Sequence, residues 1–570
     1  AIHQVGEGGL VERSLNHLCS APSWGGGMVR IGFAGCLVAA LIATGCGGGA
    51  RDDSKALASA GQVAAQAPAA KVTRYAAARF LEQATFGVKA ADVERVRAIG
   101  FAAWIDEQMA LPVTQFDGRL SISLYVDANG RQPAYRAYEK EFFGAVLSRP
   151  DQLRQRVAWS LSQFVVVSLS ANDPYGVLEY HNLLLRSAFG GYGPFLRAMT
   201  VHPAMGTFLD NAFNRAVTAC EGCSPNENFA RELLQLFSVG VNKLNPDGTL
   251  QRDARGRAIE TYVQRDVADL ARALTGWEVI QEAGLPQGNL YNFGKTMRPG
   301  EAQLHDLGSK SVMGTSFPAG QNAEQDLDRV VAMLMKHPNI APFVSLRLIQ
   351  HLVTSDPTPA YVGRVAATFR NNGRGVAGDL GAVVKAVLLD PEARRGDVGH
   401  GDTPRFGKLR EPMLFQTSLL RGLGCARVPA SSFDGQNFTS NQAPMLAPSV
   451  FSFYLPTDTA PGSNLLAPEH RLLTGDEFRN RVSSLRHWSA SLKPDLDAAG
   501  CDLQTLAQAG TRSPRELADL ISERWFRGAM PPALRQAIEA LWNQSREAPE
   551  VNVANVLGMA LASPAFGVMR

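Results

Sequence analysis

What this 570-residue chain lacks narrows its function first. Beyond residue 46, no stretch is apolar for the ~20 residues that a membrane-crossing helix needs. Charge of either sign is not in excess: 56 Lys and Arg stand against 53 Asp and Glu, a net charge of +3. There is no long basic run and no basic stripe interleaved with aromatics, which excludes an electrostatic nucleic-acid binder. The chain also lacks a His-Glu-x-x-His helix, a nucleophile elbow and a Walker loop. The glycines of Gly373-Arg374-Gly375-Val376-Ala377-Gly378 match a dinucleotide fingerprint. They follow an expected helix over 362–370 rather than a strand, so a helix end and a tight turn account for them. No cofactor and no metal are expected.

Cysteine is sparse, with seven in all. Leu41-Ile42-Ala43-Thr44-Gly45-Cys46 reads as a lipoprotein cleavage box. Arg30 supplies the positive end, 31–43 a short apolar run, and Cys46 the thiol that takes lipid. Residues 1–27 are read as an upstream extension, 28–45 as the signal peptide and 46–73 as a flexible Gly- and Ala-rich tether. Cys220, Cys223, Cys425 and Cys501 remain, and four thiols allow three pairings. The favoured one joins Cys220 to Cys223 and Cys425 to Cys501. A redox dithiol or half a zinc site is the alternative for the first pair, although zinc would want a second Cys or His pair nearby.

With 45% hydrophobic and 19% charged residues, 74–570 can fill one large domain or two lobes. Apolar residues recur at three and four spacings over 77–86, 93–109, 153–167, 178–189, 229–239, 267–277, 330–335, 343–353, 362–369, 380–389 and 413–423. The same period returns over 478–492, 517–526, 534–542 and 551–561. Little of the chain alternates. Residues 243–250 read as a turn between short strands returning through 258–262, and 278–317 has room for a second small hairpin. The expected class is all-α with one or two hairpins. The Pro-, Asn- and Ser-rich loop over 436–468 is long enough to be functional or mobile.

The densest polar cluster is the run from Ser224 through Asn226-Glu227-Asn228-Phe229-Ala230-Arg231-Glu232-Leu233 to Phe237. Ser224 can cap a helix, Pro225 suits its first position, and Glu227 completes a capping box. Arg231 lies four residues after Glu227 and can pair with it. On a helical wheel, Asn228, Arg231, Glu232 and Gln235 oppose the apolar face. That polar face is either solvated or lines a cleft in which Arg231 binds an anion and Glu232 acts as acid, base or ligand. Asp210 can approach the same helix start. Asp269 and Arg272 can pair three residues apart. In His305-Asp306 with Lys310, the aspartate could orient the histidine for proton transfer, or the trio is a polar turn. The Asn226 and Asp266 helices are expected side by side, with Arg231 partly buried against Glu227 or Asp210.

Arg79-Phe80-Leu81, Ala84-Thr85-Phe86-Gly87, Phe208-Leu209-Asp210-Asn211, the Asn226-to-Leu234 run, Asp266-Val267, His305-Asp306, Asn372-Gly373-Arg374-Gly375 and Lys408-Leu409-Arg410-Glu411-Pro412 share a pattern. Together they resemble the bacterial family catalogued as domain of unknown function 1800 (DUF1800), over nearly all of 74–570. The resemblance implies a mostly helical, often exported protein whose genes neighbour those of a sulfatase-like exported family. It supplies no catalytic residues. The chain departs from the commoner pattern at Ala447-Pro448-Ser449-Val450-Phe451-Ser452-Phe453-Tyr454, where many members carry Gly-Trp. Two functions follow as expectations. One is a cell-envelope scaffold or partner-binding lipoprotein, with the outer membrane favoured. The other is a hydrolase-like enzyme using Asp210, Glu227, Arg231, Glu232, Arg272, His305 and Asp306.

Overall fold

Proline sets many of the helix starts in this chain. Pro174, Pro203, Pro359, Pro391, Pro412, Pro514, Pro532, Pro549 and Pro564 each stand in the first turn of a helix. The missing N–H costs nothing there, because a first-turn N–H has no partner within the helix. Side-chain caps do the same work elsewhere. Thr73 accepts from Ala76 N (3.1 Å), and Asn322 and Gln325 form a reciprocal capping box. The computed structural model describes residues 71–117, 135–282, 291–398, 406–429, 441–479, 481 and 493–570. The proposed signal peptide, Cys46, residues 46–70 of the expected tether and most of the 478–492 helix lie outside the described residues.

The described part is all-α with three two-stranded antiparallel ribbons. The helix expected over 93–109 is two helices, Ala90–Ile99 and Phe101–Ala110. Gly100 between them has φ +83°, a left-handed conformation that no α-helix continues through. Helices Tyr135–Ser148, Tyr192–Thr200, Pro203–Phe208 and Gln504–Arg512 were not anticipated. Among the described residues, no helix is long and apolar enough to cross a membrane.

Trp277–Glu278 pairs with Arg298–Pro299, and Lys310–Val312 with Thr315–Phe317. The second ribbon turns through Met313 and Gly314, both at positive φ (46° and 76°), as a two-residue hairpin turn requires. Residues 241–262 do not make regular strands. They are held by isolated bridges, Asn242 to Glu260, Leu244 to Leu250 and Arg252 to Ala258. The third ribbon, Lys408–Leu409 with Val568–Met569, joins distant parts of the chain and has no local sequence signal.

Residues of Ala70–Arg570 cluster as one unit around one hydrophobic core. Several arginines are buried in it. Arg410 donates to Glu82 (3.0 Å), Ser418 (2.9 Å) and the Phe566 carbonyl (3.0 Å), with its guanidinium 4.2 Å from the Phe566 ring. Arg421 donates to the Gly87 and Val146 carbonyls (both 2.8 Å) and to Gln152 (2.7 Å). Both tie the first helix, Arg74–Ala84, and the turn after it to the 408–422 segment. The long loop is anchored where it is described: Leu169 N donates to Met445 O (2.9 Å) and Ser168 Oγ to Ala447 O (2.7 Å).

Candidate functional site

The signature helix spans Asn228–Gln235, so it starts later than its sequence suggests. Ser224 does not cap it. The Asn214 side chain clamps the Asn226 backbone, accepting from its N–H (2.8 Å) and donating to its carbonyl (3.1 Å). Asn226 Oδ1 then accepts from Asn228 N (2.8 Å). The clamp holds residues 224–227 outside the helix, which moves the cap beyond the predicted box.

The signature helix packs beside the Gln264–Ala273 helix, as its small residues predict. Arg231 pairs with Glu227 (2.8 Å), and Gln264 donates to Glu227 (2.7 Å) and accepts from Arg231 (3.2 Å). Asn228 reaches Asp210 (3.2 Å), which sits at φ +59°. Arg231 is half exposed, with 39% of its side chain accessible. Glu232, on the face read as either solvated or lining a cleft, is buried. The Tyr262 hydroxyl donates to Gln235 on that face (3.3 Å). Burial pushes the Glu232 carboxyl above the usual carboxylate range, against the pull of Arg231, and Oε2 has no partner.

The other candidates gather around the far end of the Gln264–Ala273 helix, about 12 Å along its axis from Gln264 to Arg272. Arg272 grips Asp306 with two nitrogens (2.8 and 3.1 Å) and Asp269 with a third (2.8 Å). Burial would raise the Asp306 carboxyl, but the Arg272 hydrogen bonds hold it below its ordinary range. Asp306 therefore does not orient His305. The imidazole meets the Thr275 carbonyl (2.9 Å) and Asp326 (3.2 Å), and Lys310 reaches the same Asp326 oxygen (2.6 Å). Asp266 and Asp269 accept backbone N–H groups of Met313 (2.7 Å) and Ser311 (3.1 Å). This second cluster fixes the Lys310–Phe317 ribbon to the helix. The seven candidates thus form two groups, not one catalytic constellation. The structure joins Cys220 to Cys223 and Cys425 to Cys501. Among the described residues, no group of three His, Cys, Asp or Glu could hold a metal.

A third cluster was not singled out in sequence. Lys408 is fully buried between Glu411 (2.8 Å) and Glu469 (3.4 Å), and Gln442 donates to Glu411 (2.7 Å). Burial would raise Glu411, but Lys408, then His351 and the hydrogen bonds from Lys408 and Gln442, hold it at about 2. Burial raises Glu469 despite Lys408, so one ammonium supports one carboxylate far better than two. His351, from the Ile340–Leu352 helix, lies between Phe164 (6.1 Å) and Tyr454 (6.5 Å) in a near-parallel stack. Burial, then Lys408, lowers its imidazole to about 3.

These residues back onto a cleft of about 40 Å³ lined by Gln163, Leu236, Phe343, Arg347, His351 and Tyr454, with the 450–456 loop at its edge. Leu236 directly follows the signature helix, so one end of that helix faces Asp210 and the other reaches this cleft. A sequence signal did exist. The segment Ile340–Leu352 is almost wholly apolar, yet Arg347 and His351 lie four apart on it, on one helical face.

A helical body with small ribbons, an ion-paired signature helix and a buried charge network beside a cleft defines an all-α class, not a reaction. Within that class, the family model described as protein of unknown function (DUF1800) matches residues 79–568, and the chain belongs to that family. No curated protein and no solved structure matches it.

Proposed function

We propose that this chain is an extracytoplasmic protein of a bacterial cell envelope, anchored by lipid on Cys46, that works by docking an exported partner. The observation that carries this reading is the closure of the candidate polar residues on one another. Arg231, Arg272, His305 and Lys310 each already hold a partner inside the fold. Groups so engaged are poor candidates for proton transfer or substrate capture, because a substrate would first have to displace a formed ion pair. Two disulfides suit an oxidising compartment. The partner favoured by the resemblance is the sulfatase-like exported protein, and the membrane favoured is the outer one.

Two measurements test this. Replacing Cys46 with alanine should move the protein from detergent-requiring membrane fractions to the soluble fraction; continued membrane association in high salt rejects the anchor. Separately, the detergent-solubilised wild type should co-purify with the sulfatase-like partner in fixed ratio, and elution of both proteins apart rejects the docking.

Glu232 favours a second reading, hydrolysis. It is a buried carboxyl with a raised pKa and one unpartnered oxygen, as a general acid would be. That reading replaces the first if purified protein hydrolyses an envelope substrate and Glu232→Gln abolishes the reaction with the fold intact.

A further inference from the structure

The cleft beside His351 has an unbalanced charge. Arg347 donates one hydrogen bond, from Nη1 to Gln350 (2.8 Å), and stacks 5.0 Å from the Phe343 ring. Among the described residues, no carboxylate pairs with it. Its Nε and Nη2 find no hydrogen-bond partner among the described residues, and the half-buried residue lines the cleft. A guanidinium surrounded by protein without a counter-ion is costly, and an incoming anion relieves that cost. Of two deeper groups, only the second adds to this. The Tyr454 hydroxyl is buried on the Glu411 and Glu469 side of the cleft that its residue lines, so it is already turned toward carboxylates. Arg156 is fully buried, with Nε and Nη1 unpartnered, within electrostatic reach of Tyr454. Around the His351 ring, Lys408, Arg347 and Arg156 are opposed by Glu411. Glu469, which shares Lys408 with Glu411, is a second carboxylate, so three cations face two carboxylates and the surplus charge falls to Arg347 and Arg156, whose donors are unsatisfied.

The remaining lining selects among anions. Phe164, Leu236, Phe343, Val450 and Phe451 are apolar, and about 40 Å³ admits a small group rather than a ring or a sugar. The Nε–Nη2 edge of an arginine matches the two oxygens of a carboxylate. Phe451 (40% exposed) and Leu455 (44% exposed) flank the mouth and offer apolar surface to whatever lies across it. A chain end can enter so narrow a space, whereas an internal segment would have to bring two strands of backbone with it. We propose that this cleft binds the C-terminal carboxylate of a partner polypeptide ending in a small aliphatic residue, with Arg347 as the fork. This deepens the docking reading and rests on it.

The test uses the full chain in detergent and two probes, N-acetyl-Ala-Val and its C-terminal amide, titrated by calorimetry. The acid should bind at least about ten-fold tighter than the amide, a difference of ~1.4 kcal/mol. Arg347→Met should remove that preference, and Arg347→Lys should keep part of it. Equal binding of acid and amide overturns the inference, as does no binding of the acid at about 10 mM, weaker than any useful affinity. Inorganic phosphate displacing the acid at equal concentration overturns the assignment to a carboxylate. Should Arg347→Met fail to fold, the acid–amide comparison on the wild type decides alone. If the acid does not bind but the partner still co-purifies, this inference fails and the docking reading stands.

Discussion

Arg231 and Lys408 each hold a carboxylate at 2.8 Å, yet burial gives the two pairs different weight. Arg231 and Glu227 are 39% and 34% exposed, so water screens the pair. Exposed pairs contribute about 0–1 kcal/mol. Arg231→Met should therefore shift stability by less than about 1 kcal/mol in urea titration, not the larger loss that a buried arginine would imply. Lys408 and Glu411 are 0% and 1% exposed. Removing the ammonium leaves Glu411 without its cation and Glu469 closer to an unneutralised carboxylate. Lys408→Met should cost about 3–5 kcal/mol, the range for breaking a buried pair from one side. Equal urea midpoints for the two variants would contradict this contrast. Sequence placed Arg231 in a pair with Glu227 correctly. It could not rank that pair, because its exposure depends on Gln264 and the Gln264–Ala273 helix, remote from the signature in sequence.

At the scale of elements, helix contacts depend on small residues where two backbones approach. Gly422, near the end of the Pro412–Gly422 helix, lies against Trp525 of the Pro514–Trp525 helix. A Cβ at Gly422 would stand 2.3 Å from Trp525 Nε1, which itself donates to the Ser418 carbonyl (3.2 Å). Since the Trp525 ring is buried and held by that hydrogen bond, Gly422→Ala should destabilise by about 1–3 kcal/mol, the usual range for overpacking. It should also alter the emission of Trp525. An unchanged melting temperature with unchanged fluorescence would contradict the contact. The helix period foretold where the Pro412–Gly422 and Pro514–Trp525 helices lie. It did not foretell that they meet at a glycine, since periodicity describes a face and not its neighbour. Gly100 is the converse case: one residue with φ +83° divides a continuous apolar pattern into two helices.

For the whole molecule, three buried histidines govern the response to acid. His181, His202 and His351 are each lowered to about 3, first by burial and then by nearby cations, Arg149, Arg186 and Lys408 respectively. Their unfolded values lie near 6.5, so the unfolded chain binds protons that the folded one refuses. The sign follows from that difference. Their contribution is complete above about pH 6.5 and is lost progressively as pH falls toward 3, by ~1.4 kcal/mol per unit for each group. Glu411, held at about 2 against burial by Lys408, adds a further loss only below the ordinary range of glutamate, near 4.3. Melting temperature should therefore fall steadily from pH 6 to pH 4; a flat profile across that interval would show that these imidazoles titrate normally.

The sequence by itself determined the secondary structure class, most helix positions and the family. Those follow from local physics: an apolar period of 3.6 and a contiguous signature. It also placed Asp269 beside Arg272 and the signature helix beside its neighbour, because spacing within a helix and small residues on its face are local facts. Tertiary structure decided the rest. Glu232 is buried, His305 turns from Asp306 to Asp326, and Lys408 meets Glu469, 61 positions further along the chain. Arg347, Tyr454 and Arg156 reach one cleft from three separate segments. Whether a polar side chain is solvated, paired or left waiting for a ligand depends on which distant segments close around it. No local pattern in the chain carries that information.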